Sequence, residues 1–253
     1  MQLAARIGAW AKSGGGVPTA KDYVQDGLVA MWDGIENAGW GIHDPAATVW
    51  KDLVGGKTCN LTTNYHRFSD NSFDFVGEPQ GADANISLTY LNAPYANDFT
   101  CRVVVHTGSV CPEGYYMIMG GVVNENYEQG VYVGNGHFVK QIEVRKEYSG
   151  EVVSRVPLNF VKNRGYSFDI VWHRGTLTFD GYMNGEYVGS GNIPQDEFER
   201  LSYETATKSM GAWGFKTLKT PFSIHQDAFY NRALIAEEIA HNYEIDKARF
   251  NLP

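Results

Sequence analysis

Three residues in one irregular stretch carry the chemistry for holding a sugar. Trp40 offers a flat apolar face for a sugar ring, His43 a ring nitrogen for a hydroxyl, and Asp44 a carboxylate that accepts hydroxyl hydrogen bonds. They lie in residues 33–50, the longest run without strand or helix periodicity. Loops of that length in a compact domain are functional or disordered, and two Trp, one His and two Asp make this one too aromatic for disorder. The expected ligand site is therefore Trp40, His43 and Asp44, with Trp50 assigned to the core. Tyr127, Asn135, His137 and Trp213 form a second, weaker set.

Carboxylates placed for catalysis are missing. A strand bearing Glu-x-Asp-x-x-Glu would aim three carboxylates into one groove for glycoside cleavage. The nearest match is Glu244-Ile-Asp246, but Arg249 stands where the last Glu belongs and the segment is helical in pattern. Glu143, Glu147 and Glu151 read as a solvated face. There is no Gly-x-Ser-x-Gly, His-Glu-x-x-His or phosphate loop, so no enzyme is expected. Three oxygen-rich sets would suit calcium, a hard cation: Asn124-Glu125-Asn126, Asp33/Glu36/Asn37 and Asp70/Asn71/Asp74. None has EF-hand spacing, and turn chemistry also explains them. His106, His173 and His225 sit among apolar strand residues and are expected to be structural. Cys59, Cys101 and Cys111 lack CxxC spacing and an even count, so free thiols are expected. Asn60-Leu-Thr62 and Asn85-Ile-Ser87 are glycosylation sequons.

The elements that must position these residues are mostly strands. Tyr166-Ser-Phe168-Asp-Ile170-Val-Trp172 alternates, turns at His173-Arg-Gly175, and resumes through 176–183. Asn184-Gly185 then predicts a tight hairpin turn, because both residues tolerate positive φ. Further strands are expected at 27–32, 69–77, 84–90, 99–106, 130–133, 137–147, 151–156, 210–215 and from Phe222 through Leu234 into the terminal helix. The apolar run 115–123 reads as a sandwich-centre strand. Only 2–12, 194–201 and 234–247 look helical. Leu3, Ile7, Trp10 and Ala11 form an apolar stripe ahead of the breaker Ser13-Gly-Gly-Gly-Val-Pro18, so residues 1–22 read as a helical arm on a glycine linker. That arm packs back on its own domain or docks on another subunit.

The residues also carry a resemblance. Tyr182-Met-Asn-Gly-Glu-Tyr-Val and Phe229-Tyr-Asn-Arg-Ala-Leu, followed by Glu237-Glu-Ile and Asn242-Tyr, resemble the hairpin and closing signatures of LamG-like jelly-roll domains. These belong to the concanavalin A-like lectin/glucanase superfamily. Asp26-Gly-Leu-Val-Ala-Met-Trp32 resembles the opening strand, and the match spans about 23–247. The resemblance implies one all-β jelly-roll sandwich of two antiparallel sheets over residues 23–253, with short terminal helices.

Composition narrows the partners. With 21 basic and 29 acidic residues the net charge is −8, which argues against nucleic acid and anionic membrane. No apolar run reaches the ~18 residues of a membrane span. The N-terminus is a poor export signal, so a surface or virion location would need another route. The expected role is non-catalytic recognition of a glycan or cell-surface polysaccharide. The alternative is a structural subunit of a virion or surface assembly, with residues 1–12 contacting a partner or a second copy.

Overall fold

The structure, a computed structural model, describes residues 16–60, 66–75, 86–91, 97–107, 120–122, 129–136, 139–146, 152–161, 163–196, 206–210 and 222–253. The expected arm helix at 2–12, most of 194–201, Asn85, Cys111, residues 124–127, His137 and Trp213 lie outside these residues.

Sixteen strands are described. They are β1 (Leu28–Asp33), β2 (Val49–Lys51), β3 (Thr58–Asn60), β4 (His66–Phe68), β5 (Phe73–Phe75), β6 (Ile86–Leu91), β7 (Phe99–Thr107) and β8 (Gly120–Val122), then β9 (Gln129–Gly136) and β10 (Val139–Lys146). β11 (Val152–Pro157), β12 (Gly165–His173), β13 (Thr178–Met183), β14 (Glu186–Asn192), β15 (Ala206–Met210) and β16 (Phe222–Tyr230) follow, and helix α1 (Ala236–Phe250) closes the chain. Every pairing among the described residues is antiparallel, and the chain is a β-sandwich. The main sheet runs β14-β13-β12-β7-β16-β5-β4. Strand β16 shares one edge between two partners: β5 takes Ser223 and Ile224, and β1 takes Gln226 to Tyr230. The sheets β9-β10-β11 and β6-β15-β8 meet where β8 lies beside β9.

Strand alternation decides what faces the opposing sheet. Tyr166, Phe168, Ile170 and Trp172 of β12 join Phe99, Val103 and Val105 of β7 in one core, which Ile142 and Val156 of the second sheet complete. Trp50 is fully buried there and stacks on Phe73 at 4.9 Å, as its assignment to the core requires. Each such fully buried side chain contributes roughly 1.5–3 kcal/mol. Asn184 and Gly185 take φ of 54° and 78°, the turn that the Asn-Gly pair predicts.

The other face of the main sheet departs from the simple in–out pattern. Ser167, Asp169 and Arg102 belong to the polar side of their strands, yet all are fully buried. The N-terminal segment around Ala20, Tyr23 and Val24 covers them together with α1. Helix α1 buries Glu238, Ile239, Asn242, Ile245, Asp246, Arg249 and Phe250, a spacing that stays on one 3.6-residue face. Four of those seven are polar, which hides the face from a hydropathy reading. The helix also starts and ends later than the expected 234–247. Leu234 stays outside the helix and buried, its N–H held by Thr100 Oγ1, while Arg249 and Phe250 find partners only if the helix continues. One strand expectation narrows as well. Of the described residues 69–75 only Phe73–Phe75 pairs, because Ser69 and Ser72 close a turn. Of the strand expected at 210–215, Met210 is the last residue of β15 and residues 211–215 lie outside the described residues. The described part of 115–123, β8, pairs with β15.

Candidate functional site

Charge ties down the face that carries the site. The Arg102 guanidinium meets Asp169 at 3.0 Å, Gln226 at 2.6 Å and Ser167 at 3.1 Å, and it pairs with both oxygens of Asp246 on α1. Tyr23 donates to Asp246 at 2.7 Å. Arg249, one turn further along, holds Asp33 at 2.6 Å and Glu36 at 3.2 Å. Burial pushes Asp169 up to about 6, with Arg102 pulling the other way. Burial opposes the charge on Arg102, but the Asp246 and Asp169 carboxylates outweigh it and hold the guanidinium firmly protonated.

A β-bulge then sets the site's geometry. Between Ile224 and Gln226 the register of β16 slips, leaving His225 as the extra residue. Gln226 thereby turns to the α1 side, where it reaches Arg102. His225 stacks on Phe250 at 4.9 Å and meets the Asn71 carbonyl through Nδ1 at 2.9 Å. A carbonyl only accepts, so Nδ1 carries the proton, and burial lowers the ring's pKa and keeps it neutral. Nε2 is then left as an acceptor.

Beside this stack lies an open cleft of about 640 Å³. Its floor is one rung of the sheet: Ser223 sits directly between Asp74 of β5 and His106 of β7. Alternation puts all three on the same face, because Phe73, Ile224 and Val105 beside them are inner-core residues. Asp74 accepts the Ser72 hydroxyl at 2.7 Å through one oxygen, while the other sits 3.7 Å from the exposed Arg67. The His106 imidazole is exposed and makes no hydrogen bond or ion pair among the described residues. Arg164 forms the far wall on a turn fixed by the Thr107 hydroxyl, and its guanidinium, within electrostatic reach of Tyr243, makes no hydrogen bond or ion pair among the described residues. Gly165 leaves a slot for Leu252, since a Cβ there would lie 2.3 Å from the leucine.

The expected trio lies elsewhere. The 34–48 loop is held from within: Glu36 accepts the N–H groups of Ala20 and Gly41 at 2.7 Å, and the fully buried Asn37 side chain bonds both backbone groups of Asp44. Trp40 is half-buried against the core near α1, with Lys21 5.5 Å from its ring centre. His43 and Asp44 are exposed. His43 Nδ1 meets the Ile35 carbonyl at 2.9 Å, and Asp44 accepts from Ala46 at 2.9 Å. None of the three lines the cleft.

Nothing in the sequence groups the cleft residues as one site. Asp74 is expected in a calcium set and His106 in a structural role, and the exposed His106 imidazole corrects the second expectation. His173 and His225 do have structural partners, Asp180 at 2.9 Å and Asn71. The calcium set at 124–126 lies outside the described residues, and carboxylates of the other two have partners. Asp33 and Glu36 already hold Arg249, Asn37 is spent on Asp44, and Asp74 faces Ser72 and Arg67. Among the described residues no three His, Cys, Asp or Glu converge as a metal site. Glu244 pairs with Lys247, and Asp246 is buried on Arg102, so the helical near-match to a glycosidase motif frames no groove. Cys59 is buried with a free thiol, and burial pushes it up to about 11. Among the described residues no helix is long and apolar enough to cross a membrane.

No protein-family model matches the chain. No curated protein matches it either. Solved structures do. A Trypanosoma rangeli sialidase in complex with sialic acid is 17% identical at a TM-score of 0.59, over 94% of this chain and 35% of that one. The botulinum neurotoxin serotype G binding domain is 14% identical at a TM-score of 0.60, over 87% of this chain and 51% of that one. The chain therefore spans about a third of the sialidase and half of the toxin domain. At these identities the likeness is one of fold: an antiparallel β-sandwich.

Proposed function

We propose that this chain is a non-catalytic carbohydrate-recognition module of the LamG-like kind, and that its sugar seats in the cleft floored by Asp74, Ser223 and His106. The observation that carries the reading is the rung itself. A carboxylate, a hydroxyl and an imidazole stand side by side on a rigid sheet, in an open concave space of a size that holds a small ligand. Such groups exchange hydrogen bonds with sugar hydroxyls, and Phe250 with His225 adds a flat edge. The sandwich shared with a sialidase and with a toxin binding domain supports the reading at the level of fold. The loop surface of Trp40, His43 and Asp44 is the rival seat for the same ligand class. No cofactor is invoked. The ligand's setting, a cell-surface polysaccharide, belongs to the same proposal.

A glycan array probed with the full chain tests it. Binding to a defined glycan, lost in Asp74→Asn and His106→Ala at unchanged melting temperature, is the expected result. Loss in Trp40→Ala alone would move the site to the loop. An array without any bound glycan, together with a solution mass that falls to the monomer when residues 1–20 are removed, would replace the reading with that of an assembly subunit.

A further inference from the structure

The cleft is electrically lopsided. On the β5 side its polar wall is acidic, with Asp74 backed by Ser72 and Ser69 through hydrogen bonds of 2.7 and 2.6 Å. Two groups that can donate stand on the β7–β12 side, the His106 imidazole and the Arg164 guanidinium, and neither side chain makes a hydrogen bond or ion pair among the described residues. Arginine stays protonated at any working pH and presents a planar fork that matches a carboxylate. A surface arginine is usually a solvated side chain. This one differs in its mounting: Arg164 accepts from the Thr107 N–H at 3.0 Å and donates its own N–H to Thr107 Oγ1 at 3.1 Å. Asn163 before it takes φ of 54°. The backbone that carries the fork is thus fixed to the sheet at the mouth of the cleft.

The spacing suits one sugar ring. Asp74 and His106 are two strand positions apart, about 9.5 Å at the usual inter-strand distance. A single pyranose with a hydrogen bond of about 2.8 Å at each end spans that gap. Hydroxyls would donate to Asp74 and to His225 Nε2, which accept, while a negative substituent would face Arg164 and His106.

Resting on the carbohydrate reading of this cleft, we propose that the sugar it selects carries a carboxylate, which docks on Arg164 and His106 while the ring hydroxyls meet Asp74 and Ser223. Selection between an acidic sugar and its neutral counterpart is then set by the Arg164 end, because the rest of the floor treats the two alike.

The test titrates the isotopically labelled full chain with methyl β-D-glucuronide and methyl β-D-glucoside, which differ only in the carboxylate, and follows amide shifts. The glucuronide is expected to bind about ten-fold more tightly, the difference one charge-assisted contact makes. Arg164→Gln should remove that preference and leave glucoside binding within about two-fold. Raising the salt to 0.5 M should narrow the gap, since the pair lies at an exposed mouth. Equal affinity for the two sugars, or a preference that survives in Arg164→Gln, overturns the acidic-sugar assignment and leaves the carbohydrate reading standing. An absence of binding by these two sugars and by every array glycan overturns both.

Discussion

Arg102→Met should expose how this face is held. The guanidinium makes five hydrogen bonds and is fully buried between two carboxylates, Asp169 and Asp246. Methionine fills comparable space without a charge. Removing one partner of a buried ion pair costs about 3–5 kcal/mol, because the other is left buried and uncompensated. Gln226 and Ser167 lose a donor at the same time, which pushes the loss toward the upper end of that range. Against a typical stability of about 5–15 kcal/mol, the variant should fold marginally or not at all. Urea denaturation at pH 7, with the slope checked for two-state behaviour, reads the loss directly. Two controls isolate the cause. At pH 5 the orphaned Asp169 carboxyl can take up a proton, so the deficit should shrink. Replacing Arg102, Asp169 and Asp246 together with apolar residues of similar volume should cost far less than Arg102→Met alone, because no charge is stranded. A loss under about 1 kcal/mol at pH 7, or a triple variant as unstable as the single one, would refute this account of the network.

Other outcomes follow from the same structure. In the unaltered protein Asp169 binds its proton more tightly when folded than when unfolded, so the stabilisation from its protonation is present below the usual carboxylate range and is lost as pH rises through about 6. The melting temperature should therefore climb between pH 7.5 and 5.5, and a flat or falling profile that Asp169→Asn leaves unchanged would count against it. Gly34→Ala should destabilise by about 1–3 kcal/mol, because its Cβ would lie 2.7 Å from the backbone at Asn71 and Ser72. Gly165→Ala meets only the end of Leu252 and should cost less, and reversal of that order in thermal melts would show the contact reading wrong. Arg232→Ala should cost about 1–2 kcal/mol through the lost bidentate pair with Glu238 at 2.7 Å, and denaturant curves identical to the parent protein's would dismiss the pair as a structural clamp.

Much of the sandwich was legible because it is local. The alternation of Tyr166 to Trp172 and the Asn184-Gly185 turn appear in the structure as β12, β13 and β14. The closing motif is legible too, but its work is structural. Arg232 lies over Gly27 and clamps Glu238, and Asn242 accepts from Val24 and donates to Tyr230. What escaped is non-local. Alternation says that Asp74, Ser223 and His106 share the outer side of their strands, yet nothing in the sequence says that β5, β16 and β7 are neighbours. The same holds for Arg102 and Asp246, which are 144 positions apart. Their polarity suggests solvent, and only the packing of α1 reveals a buried network. The one-residue bulge at His225 also evades periodicity, because it reverses the facing of every later residue in β16.

The most direct test of the recognition account is to locate the bound sugar on the full chain. Amide shifts recorded while titrating a glycan found on the array, or the methyl glucuronide, should cluster at His106, Gly165 and Ser223, survive in Trp40→Ala and vanish in Asp74→Asn. Shifts confined to residues 40–44, or none with any glycan at millimolar concentration, would contradict it.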